Sequence, residues 1–196
     1  MKHTKKYIYR FAQSFIAIPL VLATSMSTTV QFPDITSDAP AVEMVVPNLS
    51  YDELPEVIEA RALAIDTYYK ERNMPLEGYG KKMVEEALKN DIDWRLLPAI
   101  SVRESTGGKH ACKRVKNSNF GFGSCKINFE SVDKEIETVA RNLGGNNPRT
   151  AYHYDNKTTK QILQAYNPPS VIPQYAQQVM KIMDRIDDTI ETNDIV

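Results

Sequence analysis

An apolar segment that ends in an acid, residues 93–105, limits most strongly what this chain can fold into. It reads Asp-Trp-Arg-Leu-Leu-Pro-Ala-Ile-Ser-Val-Arg-Glu-Ser. Because a helix turns by about 100° per residue, a helical segment would carry four of these side chains on one face. They are Leu97, Ile100, Ser101 and Glu104. We therefore expect a helix that packs against the core and presents Glu104 on the same side.

The residues after Glu104 predict that this helix ends there. Thr106-Gly107-Gly108 follows, and glycine supplies the backbone conformation in which helices commonly end. Glu104 would then lie at a helix end beside a loop, where a cleft can form. Burial disfavours the charged form of a carboxylic acid, so a glutamic acid in this position can keep a proton to donate near neutral pH. The structural alternative is a solvated Glu104, or one paired with Arg95 or Arg103.

The first 26 residues have the layout of a secretory signal peptide. Four basic residues and no acidic one lie in the first ten, an apolar run follows to about Met26, and small residues at 23–25 offer a cleavage site. A membrane anchor through residues 7–26 is the alternative, since a run of this length can span a bilayer. Polar residues and a proline interrupt the run, so we favour cleavage. We expect an exported protein, either extracellular or in the cell envelope.

The charge that remains after such a cleavage argues against nucleic acid as a partner. Residues 1–25 hold four of the 24 basic residues and none of the 25 acidic ones, which leaves a net charge near −5. Binding to phosphates requires a basic surface. From 27 to 50 the chain is rich in Thr, Ser, Asp and Pro without any period, which predicts a flexible or extended linker.

Apolar residues at intervals of three or four predict further helices. A capping box at Ser50 precedes a helix to about Arg72. The central helix either starts near Pro98 or has Pro98 in its first turns after an Asp93 cap, because a proline deeper in a helix loses a hydrogen bond. The other predicted helices cover residues 79–89, 131–143, 158–166 and 173–186.

Residues 109–127 lack a helical period and are rich in Lys, Asn, Ser, Gly and aromatic residues. This composition predicts a loop or a short β-hairpin. Together the segments predict a mainly α-helical domain over residues 51–187, followed by a polar tail at 188–196. We expect this domain to be a monomer.

The chain contains two cysteines, Cys112 and Cys125. In an exported protein, two cysteines that close a short loop form a disulfide more often than a metal site. Such a bridge would contribute about 3 kcal/mol to stability. Free buried thiols are the alternative if the chain stays in a reducing compartment. His110 and His153 stand alone in polar loops without ligand spacing, so we expect neither a metal nor a cofactor.

Residues 119–124, which read Asn-Phe-Gly-Phe-Gly-Ser, suit a sugar. The apolar faces of sugar rings pack on Phe, while backbone amides and Asn bond to hydroxyl and acetamido groups. The structural alternative is a tight turn with Phe120 and Phe122 in the core.

Three segments in this order resemble enzymes of the lysozyme-like superfamily. Leu-Leu-Pro-Ala-Ile followed by Arg-Glu-Ser resembles the superfamily's catalytic helix. The Asn-Phe-Gly run at 119–121 is similar to the Asn-Phe-Phe-Gly-type motif of bacterial endo-β-N-acetylglucosaminidases of the mannosyl-glycoprotein type, with one Phe missing. Ala-Tyr-Asn at 165–167, followed by Tyr175, is similar to a segment of soluble lytic transglycosylases and to the late tyrosine of the glucosaminidases. The Gly-Leu-Met-Gln-like element of the transglycosylases is absent, which favours the glucosaminidase side. The resemblance covers residues 76–187.

The resemblance implies a lysozyme-like domain that cleaves the glycan strands of peptidoglycan, with Glu104 as general acid. It also implies a tyrosine hydroxyl in the cleft, assigned to Tyr166, that orients the acetamido group or stabilises charge at the anomeric carbon. The expected substrate-binding residues are Ser105, Asn119, Phe120, Gly121, Phe122, Ser124 and Asn167. Capping of the helix end is a second role for Ser105, and a place in the core is the alternative for Tyr166. A lytic transglycosylase or muramidase, or an inactive glycan-binding envelope module, are the rival functions.

Hydrolysis by two carboxylates requires a base or nucleophile across the scissile bond. The nearest downstream candidates are Glu130, Asp133, Glu135 and Glu137. If none of them serves, the N-acetyl group of the substrate assists, and Glu104 acts first as acid and then as base.

Overall fold

The structure is a computed structural model of the chain, and its described part comprises residues 54–193. The signal or anchor expected at 1–26 and the linker expected at 27–50 lie outside these residues. Within residues 54–193, none of the helices has the length and apolar character needed to cross a membrane.

The described chain is mainly α-helical, as the sequence predicts, and contains no strand between residues 54 and 193. The helices are α1 Leu54–Glu71, α2 Gly80–Lys89, α3 Leu96–Ser105, α4 Val132–Leu143, α5 Ala151–Tyr154, α6 Thr159–Tyr166 and α7 Tyr175–Asn193. The segment 109–127 forms a loop with a short 3-10 turn at Phe122–Cys125, so the hairpin alternative is wrong. The backbone N–H and C=O groups of this loop form hydrogen bonds within turns and to side chains, instead of a ladder between two strands.

Helix α3 lies at the centre of the fold and contacts α2, α4 and α7. Leu97, Ile100 and Ser101 are fully buried, which confirms the apolar face that the sequence predicts. Pro98 falls in the first turn, where its missing N–H has no intrahelical acceptor in any case. The helix ends when Thr106 adopts the left-handed conformation, with φ of 55°, one residue before the glycines that the sequence indicates.

Side-chain caps begin two of the peripheral helices. Ser131 accepts a hydrogen bond from the backbone N–H of Lys134 at 3.2 Å and starts α4. Thr158 and Gln161 form a complete capping box at the start of α6. Both starts agree with the sequence prediction, because each cap is a local signal.

Helix α7 is longer than the sequence predicts. It continues to Asn193, although the polar composition after residue 187 predicts a frayed tail. Ile186 is fully buried, and the Thr189 hydroxyl bonds to the carbonyl of Ala64 in α1 at 3.0 Å. Packing against α1 therefore extends the helix beyond the predicted end of the domain.

Candidate active site

Glu104 lies half-buried in the last turn of α3 and bonds to a tyrosine of α7. Its Oε1 accepts a hydrogen bond of 2.6 Å from the hydroxyl of Tyr175, which is 1% exposed. Arg95 forms ion pairs with two aspartates instead, and the Arg103 Nε donates to Gln178 at 2.8 Å. Among the described residues, no cation therefore forms an ion pair with Glu104.

The hydrogen bond from Tyr175 assigns different roles to the two carboxyl oxygens of Glu104. Burial, followed by the charge of Glu104, raises the pKa of Tyr175 far above its ordinary value, so Tyr175 stays a hydroxyl donor at neutral pH. Oε1 must then remain an acceptor whether Glu104 is charged or neutral. A proton that Glu104 donates would have to be carried by Oε2.

Gly121 lies directly against Oε2 of Glu104. A Cβ atom at this position would lie 2.6 Å from Glu104 Oε2, closer than real Cβ contacts come. Its φ of 65° is also in the left-handed region, which favours glycine. Two constraints therefore require glycine at position 121: its backbone conformation and its close contact with the Glu104 carboxyl group.

Tyr166 does not take the place that the resemblance implies for it. Its hydroxyl donates to the backbone carbonyl of Phe120, so it holds the loop rather than facing a ligand. Its ring stacks on Tyr175, with centroids 6.1 Å apart and planes 14° apart, and lies 6.3 Å from Phe122. Burial raises the pKa of Tyr166 well above its usual range. Tyr175, the late tyrosine of the resemblance, is the tyrosine that touches Glu104.

Glu135 anchors the loop that contains Gly121. This fully buried carboxylate accepts three hydrogen bonds, from the backbone N–H of Asn119 at 2.7 Å, its side-chain amide at 2.8 Å and the backbone N–H of Phe120 at 3.0 Å. Burial raises the pKa of Glu135, and these hydrogen bonds oppose the rise. With both oxygens occupied, Glu135 is a structural group rather than a free base.

The other acids considered as a second carboxylate are either paired with lysines or exposed. Glu137 pairs with Lys82 at 2.9 Å and with Lys134 at 2.6 Å. Glu130 and Asp133 are exposed at the start of α4. In the part of the chain that the structure describes, no hydrogen bond joins any of these acids to Glu104.

Three of the expected substrate-binding side chains are buried, which corrects the prediction for them. Phe120 is fully buried in the core, so its ring cannot stack on a sugar. Asn119 is 6% exposed and bonds to Glu135. Ser105 is 3% exposed; its hydroxyl donates to the Asn119 carbonyl at 2.6 Å and accepts from the Gly108 N–H at 2.9 Å. It ties the helix end to the loop, which is the capping role considered for it.

The remaining expected residues are accessible. Phe122, Gly121 and Asn167 are half-buried, and Ser124 is exposed. The α3 end and the 119–124 loop meet at Glu104 and Gly121, and Tyr166 joins the α6 end to the same loop. We define the candidate active site as Glu104 and these four accessible residues.

Cys112 and Cys125 lie at disulfide distance, with Cα atoms 5.9 Å apart, which confirms the predicted pair. The bridge closes the segment that contains residues 119–124. Loop closure of this kind restricts the unfolded chain and stabilises the folded loop beside Glu104.

A separate cavity of about 340 Å³ lies between the ends of α2 and α4 and the start of α6. Its lining includes Asp91, Leu143, Tyr154 and Asn156 but not Glu104. The candidate site is therefore identified by the chemistry of its side chains and not by this cavity. Over residues 54–193, no group of three or more His, Cys, Asp or Glu side chains is placed to hold a metal ion.

No family model, curated protein or solved structure matches the chain significantly.

Proposed function

We propose that the chain is an exported glycoside hydrolase that cleaves the glycan strands of peptidoglycan, as an endo-β-N-acetylglucosaminidase-like enzyme. The observation that supports this most is the half-buried Glu104, whose Oε1 accepts a hydrogen bond from Tyr175 and whose Oε2 lies beside Gly121, where a Cβ would not fit. General acid catalysis requires a carboxylic acid held in one orientation within reach of the leaving oxygen. Export follows from the signal-like residues 1–26, and residues 7–26 would tether the protein to a membrane if they are not cleaved.

The first step breaks the glycosidic bond. Glu104 Oε2–H gives its proton to the glycosidic oxygen, and the bonding electrons leave with that oxygen. The Tyr175 hydroxyl stabilises the carboxylate that forms, because a hydrogen bond to a charged acceptor is stronger than one to a neutral acceptor.

Glu135 is occupied by three hydrogen bonds and Glu137 by two lysines, while Glu130 and Asp133 are exposed. The N-acetyl group of the substrate is therefore the nucleophile in this proposal. Its carbonyl oxygen attacks the anomeric carbon as the leaving group departs. Glu104, now a carboxylate, takes a proton from the water that opens the resulting ring. The proton balance is restored, and Glu104 is an acid again.

The test is the substitution Glu104→Gln. Glutamine keeps an oxygen that accepts from Tyr175 but has no acidic proton, so we expect release of soluble fragments from purified peptidoglycan to fall to background. Glu130→Gln is the matched control, because Glu130 is an exposed acid outside the site. A Glu104→Gln protein that cleaves as fast as Glu130→Gln would refute the proposed role.

A further inference from the structure

The loop next to the candidate site has a charge opposite to that of the remaining chain. Residues 109–126, here called the basic loop, contain Lys109, Lys113, Arg114, Lys116 and Lys126. No Asp or Glu occurs between Glu104 and Glu130. The rest of the chain holds the other 19 basic residues and all 25 acidic ones. After residue 26, positive charge is therefore concentrated in this one segment, while the rest of that part of the chain is acidic.

Four of these cations are exposed and have no acidic partner. Lys113, Arg114, Lys116 and Lys126 lie on the surface, and none of them forms an ion pair with any residue between 54 and 193. Lys109 donates to the backbone carbonyl of Arg72 at 2.7 Å. Elsewhere several cations do pair with acids, as Lys82 does with Glu86 at 3.2 Å.

Unpaired like charges on one short loop repel one another. They leave a surface that attracts anions.

One backbone hydrogen bond attaches the basic loop to the helix that carries Glu104, and another closes the loop on itself. The N–H of His110 donates to the Ser105 carbonyl at 2.8 Å, and the N–H of Cys112 donates to the Ser118 carbonyl at 3.1 Å. The cysteine pair then closes the loop. Gly121 and Phe122 lie within the same segment, between the basic residues. The cations thus belong to the same disulfide-closed loop as the residue that borders Glu104.

We propose that the basic loop is a docking surface for the carboxylates on the peptide stems of the peptidoglycan strand. This inference rests on the proposed function and names the part of the substrate that the site recognises besides the sugar. Positive charge around a cleft raises the local concentration of an anionic substrate and its association rate. Phosphodiester polymers of a cell wall carry the same sign of charge and are the other source of anions that the test must distinguish.

Binding is measured first, with the full chain in which Glu104→Gln prevents cleavage. Lys113→Gln, Arg114→Gln and Lys116→Gln are combined in one variant. The matched control removes three exposed charges from α6 and α7 through Lys160→Gln, Lys181→Gln and Arg185→Gln. Both variants lose three positive charges, so a difference in binding between them must come from where those charges lie on the protein.

Co-sedimentation uses three insoluble substrates: peptidoglycan freed of phosphodiester polymers, the same material with its carboxyl groups converted to amides, and a wall that retains its phosphodiester polymers. On the first substrate at low salt we expect the loop variant to bind about tenfold more weakly, and the control less than twofold. The difference should vanish on the amidated material and at about 0.5 M salt, where charges are screened within a few ångströms.

Equal binding of the loop variant and the control to carboxylate-bearing peptidoglycan would overturn the proposal. An equal loss of binding by the loop variant on the amidated material would also overturn the proposal, because it would indicate damage to the loop. A loss of binding seen only on the wall that retains its phosphodiester polymers would overturn it as well. Tighter binding to DNA or to vesicles of anionic phospholipid than to peptidoglycan would also overturn it. Charge-dependent binding without any cleavage by the native chain would refute the proposed hydrolase and leave the docking surface standing.

Discussion

Gly121→Ala is the substitution whose effect the structure defines most sharply. The new Cβ would lie 2.6 Å from Glu104 Oε2, whereas ordinary contacts begin at 3.4 Å. The carboxyl group must therefore move away from its position beside Gly121. A misplacement on the order of 1 Å can cost about 100-fold in rate. We expect a loss of that size in kcat/KM on purified peptidoglycan.

The cost in stability is smaller and has a separate cause. An alanine at a φ of 65° costs about 1–2 kcal/mol. Gly78→Ala is the matched control, because Gly78 also has a positive φ, of 89°, but its Cβ would meet nothing within 4 Å.

Both variants should lose similar stability in thermal unfolding followed by circular dichroism, while only Gly121→Ala loses activity. Equal activity of the two variants would show that the space at Oε2 does not matter to the reaction.

Two further predictions concern the groups that hold Glu104 and its loop. Tyr175→Phe removes a hydrogen bond to a charged group, worth about 1.5–3 kcal/mol, so we expect kcat to fall about 10- to 100-fold. Tyr166→Phe, which removes only a bond to the Phe120 carbonyl, should lower it less; the reverse order would contradict the assignment. Glu135 has a pKa raised by burial, so the folded state binds more protons than the unfolded state, and stability should fall as pH rises above about 4.5. Asp66, whose pKa is also raised, contributes a similar fall in both proteins. In urea unfolding at several pH values, the stability of the native chain relative to Glu135→Gln should therefore decrease as the pH rises above about 4.5; a difference that is constant with pH would contradict this.

Local signals explain why much of the fold could be predicted. The Ser131 and Thr158 caps and the apolar face of α3 each depend on neighbours within a few residues. The end of α7 could not be predicted, because the bond from Thr189 to Ala64 spans 125 residues. The four-residue helix α5 is too short for a periodic signal.

Only the part of the candidate site that depends on a single helix could be predicted from the sequence. Glu104 follows from the helical period of its own segment. The choice between Tyr166 and Tyr175 depends on a contact 71 residues away in sequence, which spacing cannot reveal. Phe120 and Phe122 are phenylalanines two positions apart, so the sequence does not distinguish them. Only the packing of the folded chain shows that Phe120 is the one that is fully buried. The charge of the basic loop, by contrast, is visible in the sequence alone.

The most direct measurement is mass spectrometry of purified peptidoglycan after digestion with the native chain and, in parallel, with Glu104→Gln. We expect products with reducing-end N-acetylglucosamine from the native chain and none from the variant. Anhydro-muramyl ends would instead indicate a lytic transglycosylase, and reducing-end muramic acid a muramidase. The absence of products from the native chain, or equal products from both proteins, would show that Glu104 is not the acid of a glycan-cleaving enzyme.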